Sequence, residues 1–209
     1  MTIRSTMRAG VWAAAALFGG LACTQATLAA PQELAVDLSH TRATFTVSHL
    51  GFSTMPGVFR TLDVKFAYDE ATPANSALEV TIQADSIDMF HDGLNAHLKN
   101  QDLFNVTAHP TITFRSTKVE STGASTARVT GDFTMLGVTK PVTFDVTLNQ
   151  AANHPMRGVR TYGFGATGVI KRSEFGMKYA VPVVGDDISF TLAMEASVPG
   201  PAPAPAAAN

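Results

Sequence analysis

Eight stretches of this chain alternate apolar and polar residues, or carry the residue types of a strand, with a period of two. They are Thr44–Val47, Leu62–Phe66, Leu78–Ile82, Thr111–Phe114, Val129–Phe133, Val142–Leu148, Tyr162–Ile170 and Ile188–Met194. In an extended chain successive side chains point to opposite faces, so this pattern makes each stretch a strand with one apolar face. Thr, Val and Phe dominate them, as suits a pleated, half-buried surface. The predicted class is all-β. Eight one-sided antiparallel strands bury their apolar faces either as a two-sheet sandwich or as a closed barrel. Most phenylalanines beyond residue 30 fall on the apolar parity, so the enclosed space should be wide and aromatic.

Composition removes several function classes. The chain has 209 residues and a formal charge of -2, without the clustered Lys and Arg that phosphate binding requires, which argues against nucleic acid as a partner. One cysteine, Cys23, permits neither an intrachain disulfide nor a cysteine-based metal cluster. Arg4 and Arg8 precede an uncharged run from Ala9 to Ala22, and small residues follow at Ala26, Ala29 and Ala30. These are the parts of a secretory signal, and residues 1–29 are expected to be a signal peptide that directs export. The competing reading is a lipoprotein modified at Cys23, although Gly20 stands where an aliphatic residue is normal. Export with cleavage also removes Trp12, the single Trp, and leaves no stable membrane insertion. At the other end, Pro199-Gly200-Pro201-Ala202-Pro203-Ala204-Pro205 has no face to bury, so 199–209 is expected to be a disordered tail. A single domain over 30–198 remains.

One segment breaks the strand rhythm. Between Asp92 and Phe104, Leu94, His97, Leu98 and Phe104 recur at roughly helical spacing, which predicts a short amphipathic helix with Asp92 as its N-cap. Gly51–Gly57, with Met55 and Pro56, is expected to be a loop. Gly163-Phe164-Gly165-Ala166-Thr167-Gly168 matches the dinucleotide fingerprint in letters, but the residues after it continue as strand where the fingerprint needs a helix. Glycines in a curved strand explain it better. The six histidines show no metal-ligand spacing, and Asp85, Asp88 and Asp92 suit turns and caps better than acid–base chemistry. No catalytic motif is visible, no metal is expected, and no cofactor is expected.

Several short stretches, taken in order, resemble the YceI family. Val36-Asp37, Ser39-His40-Thr41 and Phe45-Thr46-Val47-Ser48-His49-Leu50-Gly51 open the series. Gly57-Val58-Phe59, Ser86-Ile87-Asp88, His97-Leu98-Lys99 and Asp102-Leu103-Phe104 continue it. His109 to Thr117, Gly131 to Thr134, Gly137 to Val142, Arg172 to Met177 and Val184-Gly185-Asp186 complete it. The resemblance spans about 34 to 198. It implies an eight-stranded antiparallel lipocalin-like β-barrel with a short capping helix, periplasmic, binding a polyisoprenoid or similar long amphiphile without catalysis, with a homodimer in keeping with the family. Leu94-Asn95 and Leu136 stand where the family often carries charge, which favours a neutral headgroup such as a quinone or fatty amide over a polyprenyl phosphate.

Combining that implication with strand parity, the expected ligand-binding residues are Phe45, Phe66, Val80, Phe114, Phe133, Phe144, Phe164 and Phe190. Leu98 and Phe104 would join them from the cap, with Arg172 as a headgroup contact or a rim ion pair. Plain core packing is the competing role for each lumen residue. The alternative functions are a barrel that acts only as a protein-interaction module and an enzyme that modifies a bound lipid.

Overall fold

The computed structural model describes residues 30–200; the expected signal peptide and most of the expected tail lie outside them. Eleven strand segments form one sheet. They are β1 (Gln32–Val36), β2 (Arg42–His49), β3 (Ser53–Phe59), β4 (Leu62–Tyr68), β5 (Ala77–Gln83), β6 (Ile87–Asp88), β7 (Thr111–Ser121), β8 (Thr126–Met135), β9 (Val138–Asn153), β10 (Arg160–Lys171) and β11 (Val184–Ser197). One helix, α1 (Asp92–Leu98), lies between β6 and β7.

The pairing closes on itself. The ring runs β1-β4-β5-β7-β8-β9-β10-β11 and returns to β1 through Ala35 opposite Ser197. The chain is therefore a closed eight-stranded antiparallel barrel, which resolves the choice between sandwich and barrel. Eleven segments make eight staves because three staves bend in the middle. β1 and β2 lie end to end along β11, which pairs Ala196 with Val36 and Ala193 with Arg42. β3 and β4 continue one another, as do β5 and β6, on either side of the turns at Arg60–Thr61 and Ala84–Ser86. At the first of these breaks the Thr41 hydroxyl, fully buried, donates to the Asp37 carbonyl at 2.8 Å. The broken strand thereby keeps its polar groups satisfied.

Alternation along the staves fills the lumen with the expected residue types. In β4, Val64, Phe66 and Tyr68 are buried while Asp63 and Lys65 are exposed; in β8, Val129, Phe133 and Met135 are buried. The Gly163–Gly168 pattern lies wholly within β10 and pairs along β11 as ordinary ladder, so no helix opens from it.

Three local expectations need correction. The segment Gly51–Gly57 is not a loop: a tight turn at Leu50-Gly51 reverses the chain, and Ser53–Phe59 forms β3 against β2. Alternation was obscured there because Pro56 interrupts it. The helix is shorter than 92–104 and ends at Leu98, after which the Leu103, Phe104 and Ala108 amides bond back in successive turns through His109. Its N-cap is His91 rather than Asp92. The His91 Nδ1 accepts from the Leu94 N–H at 3.2 Å, a cap usually supplied by Ser, Thr, Asp or Asn. The Asp88 carboxylate has the turn role expected of it, accepting from the Phe90 N–H and the Asn95 amide.

Candidate functional site: an apolar cavity under the helical cap

The barrel interior is divided. At the end carrying the β2–β3 and β8–β9 turns and α1, side chains enclose a cavity of about 470 Å³. This lies within the ~300–1,000 Å³ of typical ligand pockets. Val47, Met55, Ile112, Met135, Ile170 and Ile188 project into it from six staves, while Leu94, Leu98, Leu103 and Phe104 close it from the cap. Its lining includes the exposed residues His49, Tyr179 and Ala180, so the cavity reaches solvent at that end.

The floor is aromatic. Phe59 packs edge-on against Phe104 at 5.9 Å and tilted against Phe45 at 5.5 Å, and Phe190 stacks beside both. Phe133 joins Phe190 to Phe175 from below. Below this layer the lumen is nearly full. A void of about 60 Å³ lies among Val80, Phe114, Phe133 and Phe144, and one of about 80 Å³ near Phe66 and Phe164. At the far end Tyr162 donates to Glu70 at 2.7 Å, and Arg160, over the Tyr162 ring, pairs with the same carboxylate. That carboxyl is held below its usual range by Tyr162 first and Arg160 second. The cluster lies at the barrel end opposite the cavity.

The structure thus separates the expected ligand-binding residues into three groups. Phe45, Leu98, Phe104, Arg172 and Phe190 line the large cavity. Val80, Phe114, Phe133 and Phe144 surround the middle void, and Phe66 and Phe164 the lower one. Six of the lining residues missed lie further along the same parity toward one end: Val47 and His49 two and four positions after Phe45, Ile112 two before Phe114, Met135 two after Phe133, Ile170 six after Phe164, and Ile188 two before Phe190. The signal was in the sequence, but which end is open was not.

Arg172 lines the cavity but does not form the rim ion pair that was one of its two expected roles. Its side chain is buried and makes no ion pair among the described residues. The Nε donates to Gly185 O at 2.8 Å, Nη1 to Met177 O and Tyr179 O at 3.2 and 2.9 Å, and Nη2 to Val184 O at 2.9 Å. One guanidinium with its planar fork of five donors ties together both ends of the β10–β11 connection. Beside it Ser173 donates through its backbone N–H and hydroxyl to Asp186, both at 2.8 Å, and these bonds lower the Asp186 carboxyl. The remaining polar side chains on the cavity are His49, His97 and Tyr179, with His97 edge-on to Tyr179 at 5.5 Å.

Elsewhere, Asp37, His40 and Glu195 bring three donor atoms within 4.8 Å of one another on the barrel wall. The Asp37 carboxylate is already occupied there by Ser39 and His40, whose hydrogen bonds hold its pKa well below the usual range. Among the described residues no helix is long and apolar enough to cross a membrane.

Comparison with known proteins agrees with this architecture. The YceI-like domain family model matches residues 34–196. A UPF0312 protein of Ectopseudomonas mendocina (strain ymp) is 36% identical over 180 residues, covering 86% of this chain and 91% of its own. The crystal structure of the Campylobacter jejuni YCEI protein superposes with a TM-score of 0.68 at 28% identity, covering 73% of this chain and 90% of that one. A polyisoprenoid binding domain from Saccharophagus degradans shares the fold, with a TM-score of 0.58 at 12% identity over 81% of this chain and 99% of that one. A family match over the whole barrel, from the first stave to the last, shows that this chain belongs to the YceI-like domain family.

Proposed function

We propose that the protein binds a long-chain isoprenoid-type lipid and carries or stores it in the periplasm after export. The observation that carries this reading is the cavity itself: about 470 Å³, walled by aliphatic and aromatic side chains, and open at one end. Burial of an apolar chain there is driven by about 25 cal/mol per Å² removed from water, less the freedom that the chain loses. The polyisoprenoid-binding description of the Saccharophagus degradans domain, which shares the barrel, supports the same class of ligand.

The headgroup is neutral. Arg172, the one cation on the cavity lining, has four of its five donors committed to backbone carbonyls, which leaves little for a phosphate. His49, His97 and Tyr179 offer hydrogen bonds to a quinone carbonyl, hydroxyl or amide. Among the described residues the lining holds no carboxylate, Ser, Thr, Cys or Lys, which supports binding over catalysis. Purification of the protein followed by organic extraction and mass spectrometry tests the reading. One long-chain lipid per barrel is expected; protein that is reproducibly free of lipid and fails to take up a long-chain quinone overturns it.

A further inference from the structure

The two ends of the barrel expose different loops. At the end away from the cavity the connections are polar, and at the cavity end the cap carries exposed Asp92, Asn100, Gln101 and Asp102 on one side of the opening. The polar connections are 69–76, beginning Asp69-Glu70, then Thr122-Gly123-Ala124-Ser125, then His154 to Val159. Met156 is the one large apolar side chain standing out among them. At the open end the β2–β3 turn and the β10–β11 connection present Leu50, Phe52, Tyr179 and Val183 to solvent, with Phe52 90% exposed at the turn. The Leu50 N–H donates to Val183 O at 3.0 Å, so the two segments form one continuous ledge beside the cavity opening.

Local backbone chemistry does not explain these side chains. Leu50 has φ 55° and Gly51 φ 73°, a two-residue turn in which Asn or Asp normally precedes Gly. A Leu in the left-handed region costs on the order of 1 kcal/mol. The sequence therefore accepts backbone strain and an exposed apolar surface at the same point. Across 49–53 and 178–184 the only charged residue is the exposed Lys178, next to Tyr179. Apolar tips, a tyrosine and a cation on a long stem are the groups that settle into the headgroup region of an anionic bilayer.

We infer that this ledge is a membrane-docking surface that sets the open end of the barrel against an anionic lipid bilayer, so that cargo passes between bilayer and cavity without crossing water. The inference rests on the lipid-binding reading for its purpose. The ledge adjoins the opening, and its apolar surface continues into the lining through His49, Tyr179 and Val184. The described residues begin and end at the far rim, where β1 begins against Tyr68 and β11 ends opposite Thr161.

Flotation with unilamellar vesicles of phosphatidylethanolamine and phosphatidylglycerol tests the surface. The full chain is expressed in a Cys23→Ser background, which removes any lipid anchor. The parent is expected to float, with weaker association to phosphatidylcholine vesicles. Phe52→Ser should lower the vesicle affinity roughly tenfold or more, as for withdrawing one large apolar side chain from lipid. Lys178→Glu should act in the same direction, and Met156→Ser at the far rim should have no effect. All three positions are exposed, so circular dichroism and thermal midpoint should stay at the parent value.

A parent that stays with the soluble fraction, or a Phe52→Ser variant that floats like it, overturns the inference. So does sedimentation showing that Phe52→Ser converts a dimer to monomer with no change in vesicle binding. Lipid content measured on the same preparation separates the two readings. Protein that carries a long-chain lipid but does not float loses the docking surface alone; protein that floats but carries no lipid keeps the surface and loses the cargo.

Discussion

Phe45 lies directly over Gly57 on the neighbouring stave: the two are opposite one another in the β2–β3 register, and a Cβ built on Gly57 would stand 2.3 Å from the ring. The glycine is thus the floor on which one of the cavity aromatics rests. Phe45 in turn touches Phe59 and Phe190, so its tilt sets the depth of the cavity.

Gly57→Ala should therefore destabilise the barrel by about 1–3 kcal/mol, the usual cost of forcing a methyl into a packed interior. The displaced ring has one open direction, into the cavity. Urea unfolding should show the loss, and the amount of co-extracted lipid should fall with it. A stability equal to the parent's would show that the ring is free to move elsewhere.

Arg172 should be irreplaceable by lysine. Arg172→Lys and Arg172→Met both leave carbonyls of Met177, Tyr179, Val184 and Gly185 without their donors, and each buried group so stranded costs about 1–3 kcal/mol. A single ammonium cannot span all four. Thermal unfolding should drop for both variants. Limited proteolysis of the variants should cut first between 176 and 184, and earlier than in the parent.

Acid should loosen the helical cap through Asp88. Hydrogen bonds from Asn95, the Phe90 N–H and Arg60, in that order, lower this carboxyl from the usual 3.8 to about 2. A folded pKa below the unfolded one means that its stabilising contribution is complete above about pH 4 and is lost as pH falls toward 2. Asp88→Asn should be less stable than the parent at neutral pH, and the two should converge in acid. Denaturant midpoints measured across that range check the slope, and a constant difference at all pH values would remove Asp88 as its source.

Leu98→Trp should empty the cavity of lipid while keeping the fold. Leu98 is half-buried at the end of α1 and faces the cavity, so an indole there occupies ligand space rather than displacing the phenylalanine floor. Lipid recovered by extraction should fall at least about tenfold, with a thermal midpoint within a few degrees of the ligand-free parent. Phe114→Leu, set around the middle void instead, should leave lipid content much closer to the parent's.

Much of the fold was legible because a closed barrel repeats one rule on every stave. The alternation in Val142–Leu148 and Ile188–Met194 stated which side chains face inward, and the inward side of β9 and β11 is where they lie. The β2–β3 hairpin was not legible, since Pro56 breaks the pattern and Leu50 is a poor match for its turn. The His91 cap was missed because an imidazole seldom takes that position. In the site, parity alone treats Phe45 and Phe114 alike, although one floors the cavity and the other fills the barrel below it.

The amino-acid sequence by itself determined the strands and their apolar faces, because each is set by periodicity or by local residue identity. Periodicity left sandwich and barrel open, the YceI resemblance implied the barrel, and the pairing of β11 with β1 closes it. Only the tertiary structure decided where the lumen is empty. Emptiness depends on how side chains from opposite staves meet. The aromatics of the lower staves interlock beside the Glu70–Tyr162 pair, while Arg172 spends its donors on the β10–β11 connection next to the cavity. Those encounters join residues as far apart as Glu70 and Tyr162, a relation that no local pattern encodes.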